Sequence, residues 1–386
     1  GKSRADIVLR SVTGIDGHQL KSLRKKNDYF DELAGQYAFL SRGQGKSPDG
    51  QYSYRLAGNY DELQQILNSD PNCIAVVVTV EGAHAFNAGL RKRGGYTGAK
   101  EQEVVENIGT EKAWKYPPFF INLAHHFYNE LCGHTRSMKM PMYQIYNQKK
   151  GLNTGITDIG WRVIHELLAK DNGRRILLDI KHMSVKSRVE FYRFVESYNR
   201  LNPSDQIPVI CSHTGVNAFS TMKGSRKRRD NLVKLRNSYF HNWAINLSDE
   251  ELRIIHRSGG LIGIMADKGL LGSPGTLKEI EEMEGPEVVR KAFTELVAKT
   301  IFHIIRVIGD KSAWDLLALG TDYDGLITHI DTYPNAEALP DLQADLVNFI
   351  KENNYERELW FGYEPEELVR KTMQTNAMNF LATHFC

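Results

Sequence analysis

Six short apolar runs limit what this chain can fold into: Ile74–Val80, Phe119–Ala124, Ile176–Ile180, Ile207–Cys211, Leu261–Ala266 and Leu316–Leu319. Several are rich in β-branched residues, and each is separated from the next by enough chain for a helix and two loops. None shows the polar alternation of a strand with one wet face, so they read as parallel strands covered on both sides. The intervals carry helix punctuation. Thr157 is placed to cap a helix whose apolar positions Ile159, Val163, Ile164, Leu167 and Leu168 recur at helical spacing, with Gly173 at its end. Ser248-Asp249-Glu250-Glu251 has capping-box form, Gly259-Gly260 closes that helix, and Pro286 and Gly309 bracket a longer one. Alternation sustained from about residue 70 to the C-terminus predicts an α/β fold with a parallel sheet. Segments 87–110 and 126–156 are long, polar or irregular and read as loops that are either functional lids or disordered.

Composition narrows the class of function. With 386 residues, 41% of them hydrophobic and 25% charged, the chain has ample material for a core. Its 49 Lys+Arg against 47 Asp+Glu give a net charge of +2, so no general field draws it to nucleic acid or to an anionic membrane. No stretch approaches the roughly 18 apolar residues of a membrane span. Gly1 to Asp6 hold no signal-peptide core, and a chain that opens on Gly rather than Met is expected to be a processed or truncated piece. Cys73, Cys132, Cys211 and Cys386 are far apart with no C-x-x-C spacing, which predicts free thiols and favours a reducing, cytoplasmic setting.

Function must then sit in a local site, and the residues that follow the strands supply one. Glu81 follows the first run, His125 the second, Lys181-His182 the third and Ser212-His213 the fourth; Asp322 follows the last, within Gly320-Thr321-Asp322-Tyr323-Asp324. A single His after a strand is ordinarily a hydrogen-bonded loop residue. In parallel α/β folds, however, the carboxyl ends of the strands meet at one face, so one Glu, three His and one Asp are expected to converge. Imidazole nitrogens with carboxylate oxygens suit zinc or a similar divalent ion, which can lower the pKa of a bound water from about 15.7 to about 7. An Asp outside the ligand set can take the water's proton and return it to a leaving amine.

These residues resemble the renal-type membrane dipeptidases, zinc metallopeptidases of the amidohydrolase superfamily. The matching stretches are Val80-Glu81-Gly82-Ala83-His84, Asn122-Leu123-Ala124-His125, Gly151 to Gly160, Leu178 to Ser184, Pro208 to Thr214, Asn246 to Leu252 and Gly320 to Gly325. Together they span about residues 60 to 386. The resemblance implies one TIM-like (β/α)8 barrel of the metal-dependent hydrolase type, with 71–386 forming strands three to eight, 1–70 of uncertain structure, and the first strands absent from this chain. It also implies one or two zinc or other divalent ions and hydrolysis of a dipeptide or similar small carboxylate-bearing amide. Glu81 would bridge the metals, His182 and His213 would complete one metal site, His125 would bind substrate or its oxyanion, and Asp322 would be the acid/base. The expected partner is a small-molecule or dipeptide substrate, with no nucleic acid and no membrane span; a homodimer stays open.

Two departures from the family pattern stand out. Its first strand ends in a His-x-Asp metal pair, whereas His18 here precedes Gln19 and Leu20, and His329-Ile330-Asp331 lies past the last strand as a loop coincidence. An Arg that grips the substrate carboxylate is replaced by Trp243-Ala244-Ile245 before Asn246, while the basic stretch Lys223 to Arg229 reads as a solvated loop. These departures keep two alternatives in view: a non-catalytic barrel used for binding or scaffolding, and another amidohydrolase activity such as lactone hydrolysis or deamination. His165, His256 and His303 read as packing or surface residues of helices. His84 reads as an outer partner of Glu81, Asp179 as a buried carboxylate that orients a loop, and His126, Asn129, Cys132, His134 and Met138, Met140 and Met142 as parts of a lid.

Overall fold

The computed structural model describes residues 7–13, 28–47, 50–89, 98–138, 148–226, 238–352 and 354–386. They form two compact units, residues 1–191 with 381–386 and residues 192–380. In the first unit, strands β2 (Gly45–Lys46), β3 (Ser53–Ala57), β4 (Cys73–Glu81), β5 (Phe120–Asn122) and β6 (Leu177–Asp179) pair in that order, and β1 (Ile7–Thr13) also pairs with β4. Only the β2–β3 pair is antiparallel; β1 and β3 both run parallel to β4.

β4 is the backbone of this unit because little in it before Glu81 asks for water. All of its residues except Ile74 are buried. Each fully buried valine among Val76, Val77, Val78 and Val80 contributes about 1.5–3 kcal/mol relative to an exposed one. Its register with β5 sets Val80 against Ile121, and that of β5 with β6 sets Asn122 against Asp179, so the three strands run out at Glu81, Asn122 and Asp179. The first three runs foreseen from sequence are β4, β5 and β6 with ends shifted by a residue or two. β3 was not foreseen, because Ser-Tyr-Arg-Leu-Ala buries only its last two residues and offers no apolar run.

The helix Asp158–Leu168 begins where Thr157 predicts, the Thr157 side chain accepting from Gly160 N. Its end differs from expectation: Ala169, not Gly173, follows the last helical residue. The reason is a lysine from elsewhere. Lys112 Nζ donates to the carbonyls of Glu166 and Ala169 at 2.8 and 2.7 Å and to Asn172 Oδ1 at 2.6 Å, satisfying the last turn with a cation at the negative end of the helix dipole.

Residues 98–110, read from sequence as loop, belong to a helix, Gly98–Lys112. Its inward stripe is Val104, Ile108, Glu111 and Lys112, so half of what it buries is charged and the apolar period is short. Glu111 is fully buried and neither carboxylate oxygen has a hydrogen-bond partner among the described residues. Burial alone pushes its pKa up to about 8.

In the second unit β7 (Ile210–Thr214), β8 (Leu261–Ile264) and β9 (Leu317–Leu319) are parallel. β7 starts later than the run Ile207–Cys211 because Pro208 has no N–H to pair and Val209 N donates to Ser258 Oγ at 3.0 Å instead. Asp249–Arg257 opens with the predicted capping box at Ser248, and Pro286–Ile308 ends at Gly309, whose φ of 83° suits only glycine readily. His303 of that long helix sets Nε2 2.8 Å from Asp249 Oδ1, a tie between helices. Asn376 Nδ2 donates to Trp314 O at 2.6 Å and Leu317 O at 2.8 Å, satisfying two buried carbonyls at the start of β9. Cys73, Cys132 and Cys211 are buried and Cys386 is exposed, and none of them forms a disulfide among the described residues. Among the described residues no helix is long and apolar enough to cross a membrane.

Glu111 yields a prediction. Its unfolded pKa is about 4.3 and its folded pKa about 8, so the folded state holds a proton that the unfolded chain sheds. This term makes stability fall as pH rises from about 4.5 to about 8 and flattens above that. Denaturant melts of Glu111→Gln should therefore show a smaller loss of stability between about pH 5 and pH 8 than wild type; parallel pH profiles for the two proteins would show the carboxyl is not held protonated.

Candidate metal centre

In the first unit the chemistry begins where β4 stops. Glu81 ends that strand with its side chain 7% exposed. Burial raises its pKa to about 7, and the nearby Lys181 charge works in the opposite direction. His182 Nε2 lies 3.1 Å and His125 Nε2 3.6 Å from Glu81 Oε1. The His125 and His182 rings meet edge to face, 4.8 Å between centroids. One donor atom from each of the three residues lies within 4.8 Å of the others.

That donor set fits a divalent cation. Burial, the Lys181 charge and His134 hold His182 well below the usual histidine range, so its ring is neutral with a lone pair to offer. A carboxylate whose buried charge is disfavoured, next to two imidazoles, gains from a cation, and two nitrogens with one oxygen are a common zinc ligand set with room for a water or substrate atom.

The loops that carry these histidines are held tightly. Asp179 Oδ2 accepts from Asn122 Nδ2 at 2.8 Å and its Oδ1 from Lys181 N at 2.9 Å, so the buried Asp ties β5 to β6 and fixes the turn into His182. His182 has φ 67°, a left-handed conformation that costs a non-glycine residue roughly 1–3 kcal/mol and persists only where surroundings enforce it. Here the His182 carbonyl accepts from Thr135 N at 2.9 Å and Thr135 Oγ1 at 3.3 Å. His84 is buried, edge-on to Tyr29 at 5.1 Å and parallel to the His125 ring at 6.1 Å. Gly82 makes room for both rings: its φ is 104°, and a Cβ there would stand 2.4 Å from His84 Nδ1 and 3.1 Å from His125 Cβ.

The second unit holds the other two predicted residues. His213 Nε2 is 3.8 Å from Asp322 Oδ2, and Ser212 Oγ is 2.8 Å from His213 Nδ1. His213 owes its position to an irregularity in β7, since Cys211 pairs with Ile262 and Thr214 with Ile264, leaving one extra residue in β7. This bulge thrusts the Ser212 carbonyl toward the neighbouring strands. A Cβ on Gly263 or Gly320 would lie 1.8 Å from Ser212 O, so both positions require glycine. Asp322 has φ 59°, again left-handed.

His126, assigned from sequence to a lid, stands in the histidine cluster: its ring is 3.8 Å from that of His125 and 5.1 Å from that of His182. Its only signal in the sequence was adjacency to His125. His134 lies within the 126–156 segment, with its ring nitrogens 2.9 Å from the carbonyls of Thr135 and Lys150. Asp331 of the His-x-Asp at 329–331 pairs with Lys268 at 2.5 Å and is 59% exposed in its side chain, a surface contact. Lys223 and Arg226 lie on a short helix, Met222–Arg226, whereas Lys227 to Arg229, Met140, Met142 and His18 lie outside the described residues.

The chain belongs to the membrane dipeptidase family, peptidase family M19, whose model matches residues 125–362. It is a metallopeptidase homologue by that membership. Solved structures agree on the fold. A metallopeptidase from Rhodobacter sphaeroides, liganded with a phosphinate mimic of the dipeptide L-Ala-D-Ala, is 18% identical with a TM-score of 0.55, covering 92% of this chain and 73% of that one. Dipeptidase AC, an M19 metallopeptidase, is 17% identical with a TM-score of 0.55, covering 92% and 76%. The probable dipeptidase PvdM from Pseudomonas aeruginosa is 13% identical with a TM-score of 0.57, covering 94% and 82%. No curated protein sequence matches this one. At such identities the likeness shows the fold: α/β, of the TIM-like type of metal-dependent hydrolases.

Gly82 offers a local test. Gly82→Ala should cost roughly 1–3 kcal/mol for its φ alone and should also displace His84 and His125. A lowered melting temperature together with weaker zinc retention on dialysis is expected; a variant as stable as wild type that keeps its metal would mean the pocket tolerates a methyl group there.

Proposed function

We infer that this chain is a zinc-dependent hydrolase that cleaves the amide bond of a dipeptide or a similar small amide bearing a carboxylate. The observation that carries the reading is the buried Glu81 carboxylate with His182 and His125 nitrogens at 3.1 and 3.6 Å, in a chain of a metallopeptidase family. The ligand of the Rhodobacter sphaeroides relative, a dipeptide mimic, supports the substrate class.

In this reading Glu81 and His182 of that donor set are metal ligands, His213 is the further ligand that the family resemblance gives, and His125, the other imidazole beside Glu81, has the substrate-binding role that the resemblance gives it. A divalent cation bound by these ligands supplies a nucleophile at neutral pH and polarises the carbonyl to be attacked. His125 donates a hydrogen bond to the carbonyl oxygen as it gains negative charge. Asp322, 21% exposed in its side chain, takes the proton of the attacking water and delivers it to the nitrogen as the carbon–nitrogen bond breaks, leaving a free amine and a carboxylate. His213, 3.8 Å from Asp322, and Ser212 beyond it orient that pair.

Purified full-length protein should hold one to two divalent ions per chain by elemental analysis, as the resemblance implies. Asp322→Asn should keep that metal while lowering kcat for dipeptide hydrolysis by about a hundredfold or more. Turnover unchanged in this variant removes Asp322 from the chemistry. A metal-free protein that zinc does not stabilise against heat removes the hydrolase reading altogether and favours a binding role.

A further inference from the structure

The family resemblance gives a task to His125 and none to His126, yet a chain of hydrogen bonds runs from the backbone through Gln148 and Ser137 to the His126 ring. Gln148 Oε1 accepts from the backbone N–H groups of Ser137 at 3.4 Å and Met138 at 3.2 Å, which sets the orientation of the amide. Its Nε2 therefore donates, to the His126 carbonyl at 2.8 Å and to Ser137 Oγ at 2.7 Å. Ser137 Oγ, having accepted, still has its own proton to place. Among the described residues the acceptor within reach is His126 Nδ1, at 2.8 Å. When Nδ1 accepts that proton, the N–H of His126 is on Nε2. The ring that carries this N–H lies against the His125 and His182 rings, centroids 3.8 and 5.1 Å away.

We propose that His126 is a substrate-binding residue whose Nε2–H donates to an sp² oxygen of the bound amide beside His125, with Ser137 and Gln148 as positioning residues that hold the tautomer. This rests on the hydrolase reading above and deepens it. Fixing the tautomer in advance matters because a ring free to exchange its proton would present a donor only part of the time, and ordering it would draw on binding energy. The two oxygens of such a substrate that could accept are the scissile carbonyl and the terminal carboxylate.

The test uses the full-length, zinc-loaded protein and two independent readouts. Nitrogen-15 histidine spectra should show His126 protonated at Nε2, and Ser137→Ala should move part of the population to Nδ1; an Nδ1–H ring in wild type, or no change in Ser137→Ala, overturns the assignment. In steady-state kinetics His126→Phe should lower kcat/KM by about tenfold, the worth of one hydrogen bond, with metal content unchanged. His126→Gln, whose amide nitrogen reaches the place of Nε2, should recover most of that loss, and His126→Asn, which reaches only the place of Nδ1, should not. Comparing a dipeptide with an analogue in which a methyl group replaces the terminal carboxylate separates the two oxygens: a penalty on both substrates assigns the scissile carbonyl, a penalty on the dipeptide alone the carboxylate. If wild type hydrolyses dipeptides and His126→Phe matches it, this inference alone falls. If wild type hydrolyses none, the hydrolase reading falls and takes this one with it.

Discussion

A carboxylate buried at the end of an apolar strand is the constraint around which the first unit is arranged. β4 is apolar over nearly its whole length and would end as an ordinary core strand but for Glu81. Moving an ionised carboxylate out of water is costly enough that it either takes up a proton or acquires partners, and the rise of its pKa to about 7 reflects that penalty. Two imidazole nitrogens on one oxygen, a lysine charge nearby and a glycine that clears space for the rings are the means by which the fold keeps the group where a cation can use it. The Asn122–Asp179 pair then gives β5 and β6 a fixed relation, without which His125 and His182 would not arrive at the same oxygen.

Both units place their chemistry where the backbone is irregular. His182 and Asp322 have positive φ, and His213 lies in a bulge that only glycines at 263 and 320 can accommodate. Regular strands point successive side chains to alternate faces, so a group that must leave this pattern needs a bulge or a left-handed turn. The strain is carried by hydrogen bonds to neighbours: Thr135 on the His182 carbonyl, Asp179 on Lys181 N.

The parts of this arrangement that could be read in advance are those encoded locally. Buried strands show themselves as unbroken apolar runs, and the caps at Thr157 and Ser248 and the Pro286 to Gly309 helix show themselves because single residues dictate helix ends. What was not legible has a common cause. The helix Gly98–Lys112 buries Glu111 and Lys112 in its inward stripe, so its period looked polar. β3 is half-buried, and β7 begins three residues late because Pro208 and a serine from another element decide its hydrogen bonds. His126 was set aside because its place depends on Gln148, twenty-two positions along the chain.

The sequence by itself determined the class of fold and singled out Glu81, His125, His182, His213 and Asp322 as the residues that follow its apolar runs, because apolar periodicity and residue chemistry are properties of neighbours in the chain. Only the tertiary structure decided which nitrogen faces which oxygen. It brought His182 and His125 onto Glu81, paired His213 with Asp322, and set His126 beside His125 within reach of Ser137 and, through it, Gln148. Those distances follow from strand register, one bulge and a few left-handed turns, which depend on contacts between residues far apart in sequence.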